Sequence, residues 1–378
     1  MPQWNPKARK LGKDTKARME MARAHMQAKR YDEALQEYEA VLQENPEAAA
    51  AYMGIGTVYF QQGNYEEALR YFQEALHIDN TIAPALTMIA NVHMQMGEVE
   101  KALEMYEKAL ELDPKLTQAQ LSVSRIYAQM ERYDEAEVHL RETLRYNPQV
   151  VAARLLLASI QQNQGNTAAA LQELEKIIAS KPDSQLAYLQ LGRLHMQQKK
   201  LPEAMVALKK AVELKPDNAM AHFFLGQAYL AVNQDKLAVN AFAEANKLNP
   251  ELDGPKIQLA KTYINQGNYG DATKLLQEMN KGKKRLALVH RLLADIYTRQ
   301  GSHRQAVEEY QAALLHAPKL AEKHPELVTI QESDVDDQTK AEAYREAFSK
   351  LATDVDEDTR KEMIHKRRRV QIEETTGV

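Results

Sequence analysis

The sequence predicts an all-α protein built from nine tandem pairs of antiparallel helices. Three observations predict this fold: an alanine recurs every 34 residues, apolar residues in both halves of each unit are spaced for one face of a helix, and Gly or Pro stands where helices should end. The period holds from Thr15 to Leu320 without insertion, as is typical of stacked repeats. The composition suits a continuous core, since 44% of the residues are hydrophobic and 27% are charged.

The first half of each unit predicts one helix with a narrow buried face. Counting Thr15 as position 1 of the repeat, position 7 is large and apolar, position 8 is small, and position 11 is a ring except at Gln161. Short side chains at position 8 let a second helix approach closely. The position-8 residues are Ala22, Gly56, Ala90, Ser124, Ala158, Gly192, Gly226, Ala260 and Ala294.

The second half of each unit predicts the partner helix, with the recurring alanine at its close contact. Glycine between the halves supplies the left-handed conformation that ends a helix, and proline closes most units. The turn glycines are Gly63, Gly97, Gly165, Gly267 and Gly301. The alanines are Ala34, Ala68, Ala102, Ala136, Ala170, Ala204, Ala238, Ala272 and Ala306.

The period is 34 residues, and small, aromatic, alanine and proline residues recur at fixed positions within it. Residues 15–320 therefore resemble nine repeats of the tetratricopeptide family. The resemblance implies a right-handed α-solenoid, a superhelix of antiparallel helix pairs whose first helices line a concave groove. It also implies a non-catalytic role in binding other proteins.

The flanking segments predict a cap and charged ends. Residues 1–14 form a basic N-terminal tail, and residues 321–336 an acidic linker. Residues 337–352 predict an amphipathic helix that caps the solenoid, because one stripe of that helix is apolar. Residues 353–378 predict a charged helix or tail, in which the basic cluster 366–369 could touch an anionic surface, act as a localisation tag or remain solvated. The stripe consists of Ala341, Tyr344, Phe348 and Leu351.

Composition and motifs argue against several classes of function. The net charge of -4 disfavours nucleic acid as a partner, and the absence of cysteine removes disulfides and thiolate sites. No run of 18 apolar residues predicts a membrane span, so we expect a cytoplasmic protein. We expect no enzyme activity, no catalytic residue, no metal site and no cofactor, since no phosphate loop, metal motif or nucleophile motif occurs.

Family resemblance directs the search for a binding site to the first helices, where positions 2, 5, 9, 12 and 13 face the ligand. Methionine suits helices of varied sequence, and cations select acidic ligands. Alternatively, positions 5 and 12 pack between neighbouring helices. A chaperone-tail clamp is disfavoured, because position 5 never holds Lys and its only cation, Arg291, is followed by Asp295. The predicted groove residues are Met19, Arg23, Met53, Phe60, Asn91, Met94, Leu121, Arg125, Arg193, Met196, Phe223 and Lys261.

These residues predict a scaffold or adaptor that binds a helical or extended, acidic segment of another protein and organises a multiprotein complex. Two alternatives stay open. The protein could be a self-assembling structural scaffold, and hence a homo-oligomer, or the regulatory arm of a separate enzyme or of a secretion or assembly machine.

Overall fold

The structure is a computed structural model that describes residues 13–282 and 286–350. Most of the predicted N-terminal tail and all of the predicted segment 353–378 therefore lie outside the described residues. Within the described ranges the secondary structure is entirely α-helical, with 21 helices and no strand. The helices are α1 (Lys13–Gln27), α2 (Tyr31–Glu44), α3 (Ala49–Gln61), α4 (Tyr65–Ile78), α5 (Ala83–Gln95), α6 (Val99–Leu112), α7 (Thr117–Gln129), α8 (Tyr133–Tyr146), α9 (Val151–Asn163), α10 (Thr167–Ser180), α11 (Gln185–Gln197), α12 (Leu201–Leu214), α13 (Ala219–Ala231), α14 (Asp235–Leu248), α15 (Asp253–Asn265), α16 (Tyr269–Lys281), α17 (Leu286–Arg299), α18 (His303–Leu315), α19 (Pro318–Lys323), α20 (Pro325–Glu332) and α21 (Asp337–Lys350).

The chain forms two compact units, an N-terminal unit of residues 1–165 and a C-terminal unit of residues 166–378. Odd-numbered helices up to α17 are the first helices of the repeats, and even-numbered helices up to α18 are the second helices. In the N-terminal unit, α1 to α8 pack as four pairs, and each second helix also packs on the first helix that follows it. In the C-terminal unit, α11 to α18 do the same. Consecutive pairs therefore stack as nearest neighbours, which is the predicted all-α repeat architecture.

A residue in the left-handed conformation ends the first helix of every repeat. Five of these residues are the predicted glycines, with φ between 75° and 82°. The other four repeats place a non-glycine residue there with φ of 56° to 61°. In the second repeat, Gly63 N–H donates to the Phe60 carbonyl at 3.0 Å and Asn64 N–H to the Tyr59 carbonyl at 2.9 Å, which is a Schellman motif. The four non-glycine residues are Lys29, Glu131, Lys199 and Asn233.

The small residues that recur in each repeat lie where the paired helices come closest. A Cβ atom on Gly56 would lie 2.7 Å from the ring of Phe72 in the same repeat, and a Cβ atom on Gly226 would lie at the same distance from the ring of Phe242. All nine recurring alanines of the second helices are buried. The sequence therefore fixes the contact between the two helices of a repeat through side-chain size, because a larger residue would overpack it.

The C-terminal unit ends in helices that cover α18. Tyr344 and Phe348 of α21 each stack on Tyr310 of α18 with ring centroids 5.4 Å apart, and Ala341 is buried beside them. Leu351, the fourth residue of the predicted stripe, lies outside the described residues. The segment expected to be an acidic linker differs from that expectation. It contains the end of α19 and all of α20, and the side chain of Leu327 is fully buried against the same cluster.

Candidate functional site: the inner surface of the first helices

The first helices of neighbouring repeats lie side by side in each unit. In the N-terminal unit α1 contacts α3, α3 contacts α5, and α7 contacts α9, and in the C-terminal unit α11 contacts α13. Second helices of neighbouring repeats make no contact of similar extent in the described part of the chain. The first helices therefore form the inner side of each stack. We call the side that faces away from their own second helices the inner surface; repeat positions 2, 6, 9 and 13 point there, and positions 5 and 12 lie at its edge, beside the next first helix.

Three predicted groove residues are buried rather than displayed on this surface. Met19 and Leu121 are each 6% exposed, and Phe223 is 4% exposed. All three occupy position 5, which faces the first helix of the next repeat. In the C-terminal unit, a Cβ on Gly254 would lie only 3.3 Å from the Phe223 ring. These side chains lie beneath the inner surface. This agrees with the alternative interpretation, in which position 5 packs between neighbouring helices.

Half-buried apolar side chains form a patch on the inner surface of the second and third repeats. Met53 and Phe60 pack on the cluster built around Phe72, and so does Met88 of α5. Met94, one helical turn after Asn91, packs against the next cluster along the N-terminal unit. We call Met53, Phe60, Met88 and Met94 the methionine patch. Met88 is at position 6, which the sequence analysis did not include.

A polar cluster follows the methionine patch at the third and fourth repeats. The Tyr106 hydroxyl, from second helix α6, donates a hydrogen bond to Asn91 Oδ1 of α5. Asn91 Nδ2 lies 3.7 Å from Met88 Sδ. Burial raises the pKa of Tyr106, while a hydrogen bond with Ser122 and the charge of Arg125 act in the opposite direction. Asn91, Tyr106, Ser122 and Arg125 are called the Tyr106 cluster.

Arg125 is a half-buried cation in this cluster. Its removal from water lowers the pKa of the guanidinium, and the neighbouring Tyr106 acts in the opposite direction. An arginine nevertheless stays charged at neutral pH. The Tyr106 cluster therefore places a fixed positive charge beside hydroxyl and amide groups.

A related arrangement occurs at the first repeat. Tyr38 occupies the same repeat position as Tyr106, and its ring fills the space next to Gly54, where an added Cβ would overlap it. Burial raises the pKa of Tyr38, whereas the charge of Arg23 lowers it. Arg23 itself is exposed. Sequence reasoning missed both tyrosines, although each coincides with a small residue, Gly54 or Ser122, at position 6 of the next repeat.

The C-terminal unit presents an aromatic version of the same surface. The guanidinium of Arg193 lies over the ring of Phe224, 4.9 Å from its centroid, which is a cation–π contact. Phe224 in turn lies 5.4 Å from buried Phe223. Met196 and Lys261, the remaining predicted residues of this unit, are half-buried.

Charges are segregated between the two kinds of helix. The first helices α3, α5, α7 and α9 of the N-terminal unit contain no Asp or Glu, and neither do α11 and α13 of the C-terminal unit. Second helices α2, α4, α6 and α8 each contain at least three carboxylates. The inner surface of these six first helices is therefore apolar and amide-rich, with spaced cations and no carboxylate of its own.

Residues 13–282 and 286–350 contain no group of three or more His, Cys, Asp or Glu side chains placed to hold a metal ion. No helix there has the length and apolarity needed to cross a bilayer.

Models of known protein families match the same repeat region. One model described as tetratricopeptide repeat matches residues 19–83, a second matches residues 59–126, 127–194 and 236–296, and a model described as TPR repeat matches residues 192–233. The chain belongs to the tetratricopeptide repeat family. None of the curated protein sequences compared with it matches.

Several solved structures have a similar fold. A protein from Parabacteroides merdae is 23% identical over 66% of this chain and 99% of its own, with a TM-score of 0.50. PilF of Pseudomonas aeruginosa is 22% identical over 57% of this chain and 98% of its own, also at 0.50. The C-terminal part of a TPR repeat-containing protein from Cytophaga hutchinsonii is 16% identical over 63% and 97%, again at 0.50. These similarities extend to the fold alone.

Proposed function

We propose that this tetratricopeptide repeat protein is a non-catalytic scaffold. Its inner surface binds a helical or extended, acidic segment of partner proteins and so organises a multiprotein complex. Family membership supports a protein-interaction role in general, and the inner surface supports the kind of ligand.

The observation that carries the proposal is the absence of carboxylates from six consecutive first helices. Solvated helix faces usually carry charges of both signs, as the second helices of this chain do. Here the first helices expose methionine, aromatic and amide groups with widely spaced arginines instead. A ligand that buries apolar surface there meets no like-charge repulsion when it brings carboxylates.

A pair of matched variants tests this proposal in the native cell. The inner variant combines Met53→Glu, Arg125→Glu and Arg193→Glu. The outer variant combines Val138→Glu, Arg141→Glu and Lys209→Glu, which makes the same change in charge on exposed parts of second helices. Each variant is first shown to keep its helical circular dichroism.

Affinity purification with quantitative mass spectrometry then compares the partners that each variant recovers. We expect the inner variant to lose a set of proteins that the outer variant and the wild type retain. Recovery of the same proteins by all three would place binding elsewhere on the molecule and contradict the proposal. The cytoplasmic location expected from the sequence belongs to this proposal and is tested by cell fractionation.

One observation favours self-assembly as a second candidate function. Repeat positions 3, 7 and 10 pack on the second helix of the preceding repeat, but no described helix precedes α1. Met21 is consequently 44% exposed, whereas Ile55, its equivalent in α3, is 1% exposed. Ala17 and Ala24 beside Met21 are exposed as well.

This apolar stripe of α1 could pair with the stripe of a second copy. Since α20 and α21 cover α18 at the other end of the repeats, such pairing would join two N-terminal units and close as a dimer. Sedimentation velocity over a range of concentrations tests it, with Met21→Lys as the variant. Concentration-independent sedimentation of the wild-type protein would eliminate this candidate.

A further inference from the structure

We infer that the inner surface of the N-terminal unit binds an amphipathic segment with an apolar middle and a carboxylate on each side of it. Arg23 engages one carboxylate and Arg125 of the Tyr106 cluster engages the other. This inference rests on the proposed function and specifies its ligand.

The order of groups along the inner surface supports this pattern. Arg23 comes from α1, the methionine patch from α3 and α5, and Arg125 from α7. The apolar contact area therefore lies between two cations, each at position 9 of its repeat. A ligand that covers the patch and reaches both cations must carry its charges outside its apolar stretch.

Both cations lie beside a tyrosine hydroxyl that comes from the second-helix layer. Burial raises the pKa of Tyr38 and of Tyr106, and the charges of Arg23 and Arg125 are close enough to offset part of that rise. The Tyr106 hydroxyl already donates to Asn91 Oδ1, so a carboxylate that meets Arg125 accepts its hydrogen bonds from the guanidinium N–H groups. The tyrosine rings are buried, so these hydroxyls are held in place.

The first helices that carry the methionine patch and Arg125 add no carboxylate to the inner surface. Helices α3, α5 and α7 contain no Asp or Glu. In α1, Glu20 lies three residues before Arg23, and both side chains are exposed. The inner surface from α1 to α7 thus has a net positive charge, which complements an acidic segment.

The spacing of the two cations sets the spacing of the ligand charges. Three steps between packed helices, each of about 8–10 Å, separate α1 from α7 and give a distance of roughly 25–30 Å. A helical ligand spans this distance with about 16–20 residues, and an extended one with about 8–9. Both ligands need the same chemical groups. The number of residues between the two carboxylates of a bound peptide shows whether the peptide is helical or extended.

Selection of peptides from a random displayed library on the full chain tests this inference. The library peptides are about 20 residues long, enough for the helical spacing. We expect the selected peptides to carry Asp or Glu on both sides of an apolar stretch, at one of the two spacings.

Peptide and protein variants then assign each carboxylate to its arginine. Replacing one Glu of a selected peptide by Gln should weaken binding about two- to fivefold, the range of a partly exposed ion pair. Arg23→Gln should weaken binding of the unchanged peptide by a similar factor. It should have no further effect on a peptide in which the carboxylate that pairs with Arg23 has already been replaced. Arg125→Gln should behave in the same way toward the other carboxylate. Arg141→Gln, in exposed second helix α8, is the matched control.

The outcomes separate this inference from the proposed function. If binding depends on Met53 but not on either arginine, or if the peptides lack carboxylates on one side, the inference is overturned and the scaffold proposal stands. If no selected peptide loses binding with Met53→Lys, both fail. The peptide-side substitutions keep the test valid even if Arg125→Gln proves unstable.

Discussion

Lys199 offers a direct test of how the repeat turns determine stability. It ends α11 with φ of 58°, in the left-handed region that glycine occupies in five other repeats. Its N–H donates to the Met196 carbonyl at 3.0 Å, and Lys200 N–H donates to the His195 carbonyl at 2.9 Å. The backbone geometry is thus that of the glycine repeats, and only the side chain differs. We expect Lys199→Gly to stabilise the protein.

The magnitude follows from two opposing backbone effects. The left-handed conformation costs a non-glycine residue roughly 1–2 kcal/mol, while glycine loses an extra 0.5–1 kcal/mol or so of conformational entropy on folding. The difference predicts a net gain of about 0.5–1 kcal/mol. The reverse change, Gly63→Ala, should lose a similar amount, because a Cβ at Gly63 would meet no atom within 4 Å and sterics add nothing.

Chemical denaturation followed by circular dichroism measures both changes. We expect the midpoint to rise for Lys199→Gly and fall for Gly63→Ala, with unchanged slopes. Lys199→Ala is the control, because it removes the same charge but keeps the side-chain carbon that causes the strain. If Lys199→Ala stabilises the protein as much as Lys199→Gly, the charge rather than the backbone is responsible, and the reasoning is refuted.

Three further predictions concern packing and titration. Ala136→Leu should lower the free energy of unfolding by about 1–3 kcal/mol, because Ala136 is fully buried where α7 and α8 cross; an unchanged melting temperature would contradict this. Phe348→Ala should cost about 3–5 kcal/mol and reduce amide-exchange protection in α18 but not in α2, whereas equal losses in both helices would show that α21 is no local cap. Burial lowers the pKa of His139 below 6.5, so unfolded chains bind its proton more readily and the stability present above that pH should fall as the pH drops through the folded-state pKa. Histidine NMR titration measures this pKa, and His139→Gln should flatten the pH dependence of stability; an unchanged pH dependence would contradict the prediction.

The fold was predictable because each residue type that recurs in the repeat is required by local packing or backbone geometry. Small residues at Gly56 and Ala136 permit close helix contact, and a glycine such as Gly63 ends a helix. The turns at Lys29 and Lys199 carry no such signal, since lysine is common on helix surfaces and adopts the left-handed conformation only because the flanking helices impose it. The sequence period still locates these turns, because they fall at the same position as the glycines.

The candidate site was predicted less completely, because its exposure depends on the neighbouring repeat. A helical wheel for α7 places Leu121 near Arg125, but it does not show that the next first helix covers Leu121. Met88 was missed for a different reason: it is at position 6, and the ligand-facing positions implied by the family resemblance are 2, 5, 9, 12 and 13. The structure was needed to separate the displayed residues from those that support them.

Second helices influence the inner surface although they do not form it. Where the second helix carries tyrosine, as at Tyr38 and Tyr106, its hydroxyl comes next to a polar or charged residue of its own first helix. Where Phe72 occupies the same position, no hydroxyl is available, and the adjoining surface is the methionine patch. The small residue that admits each tyrosine, Gly54 or Ser122, comes from the next repeat. The polarity of the inner surface is therefore set by pairs of neighbouring repeats, so a change buried in a second helix can alter binding without touching the ligand.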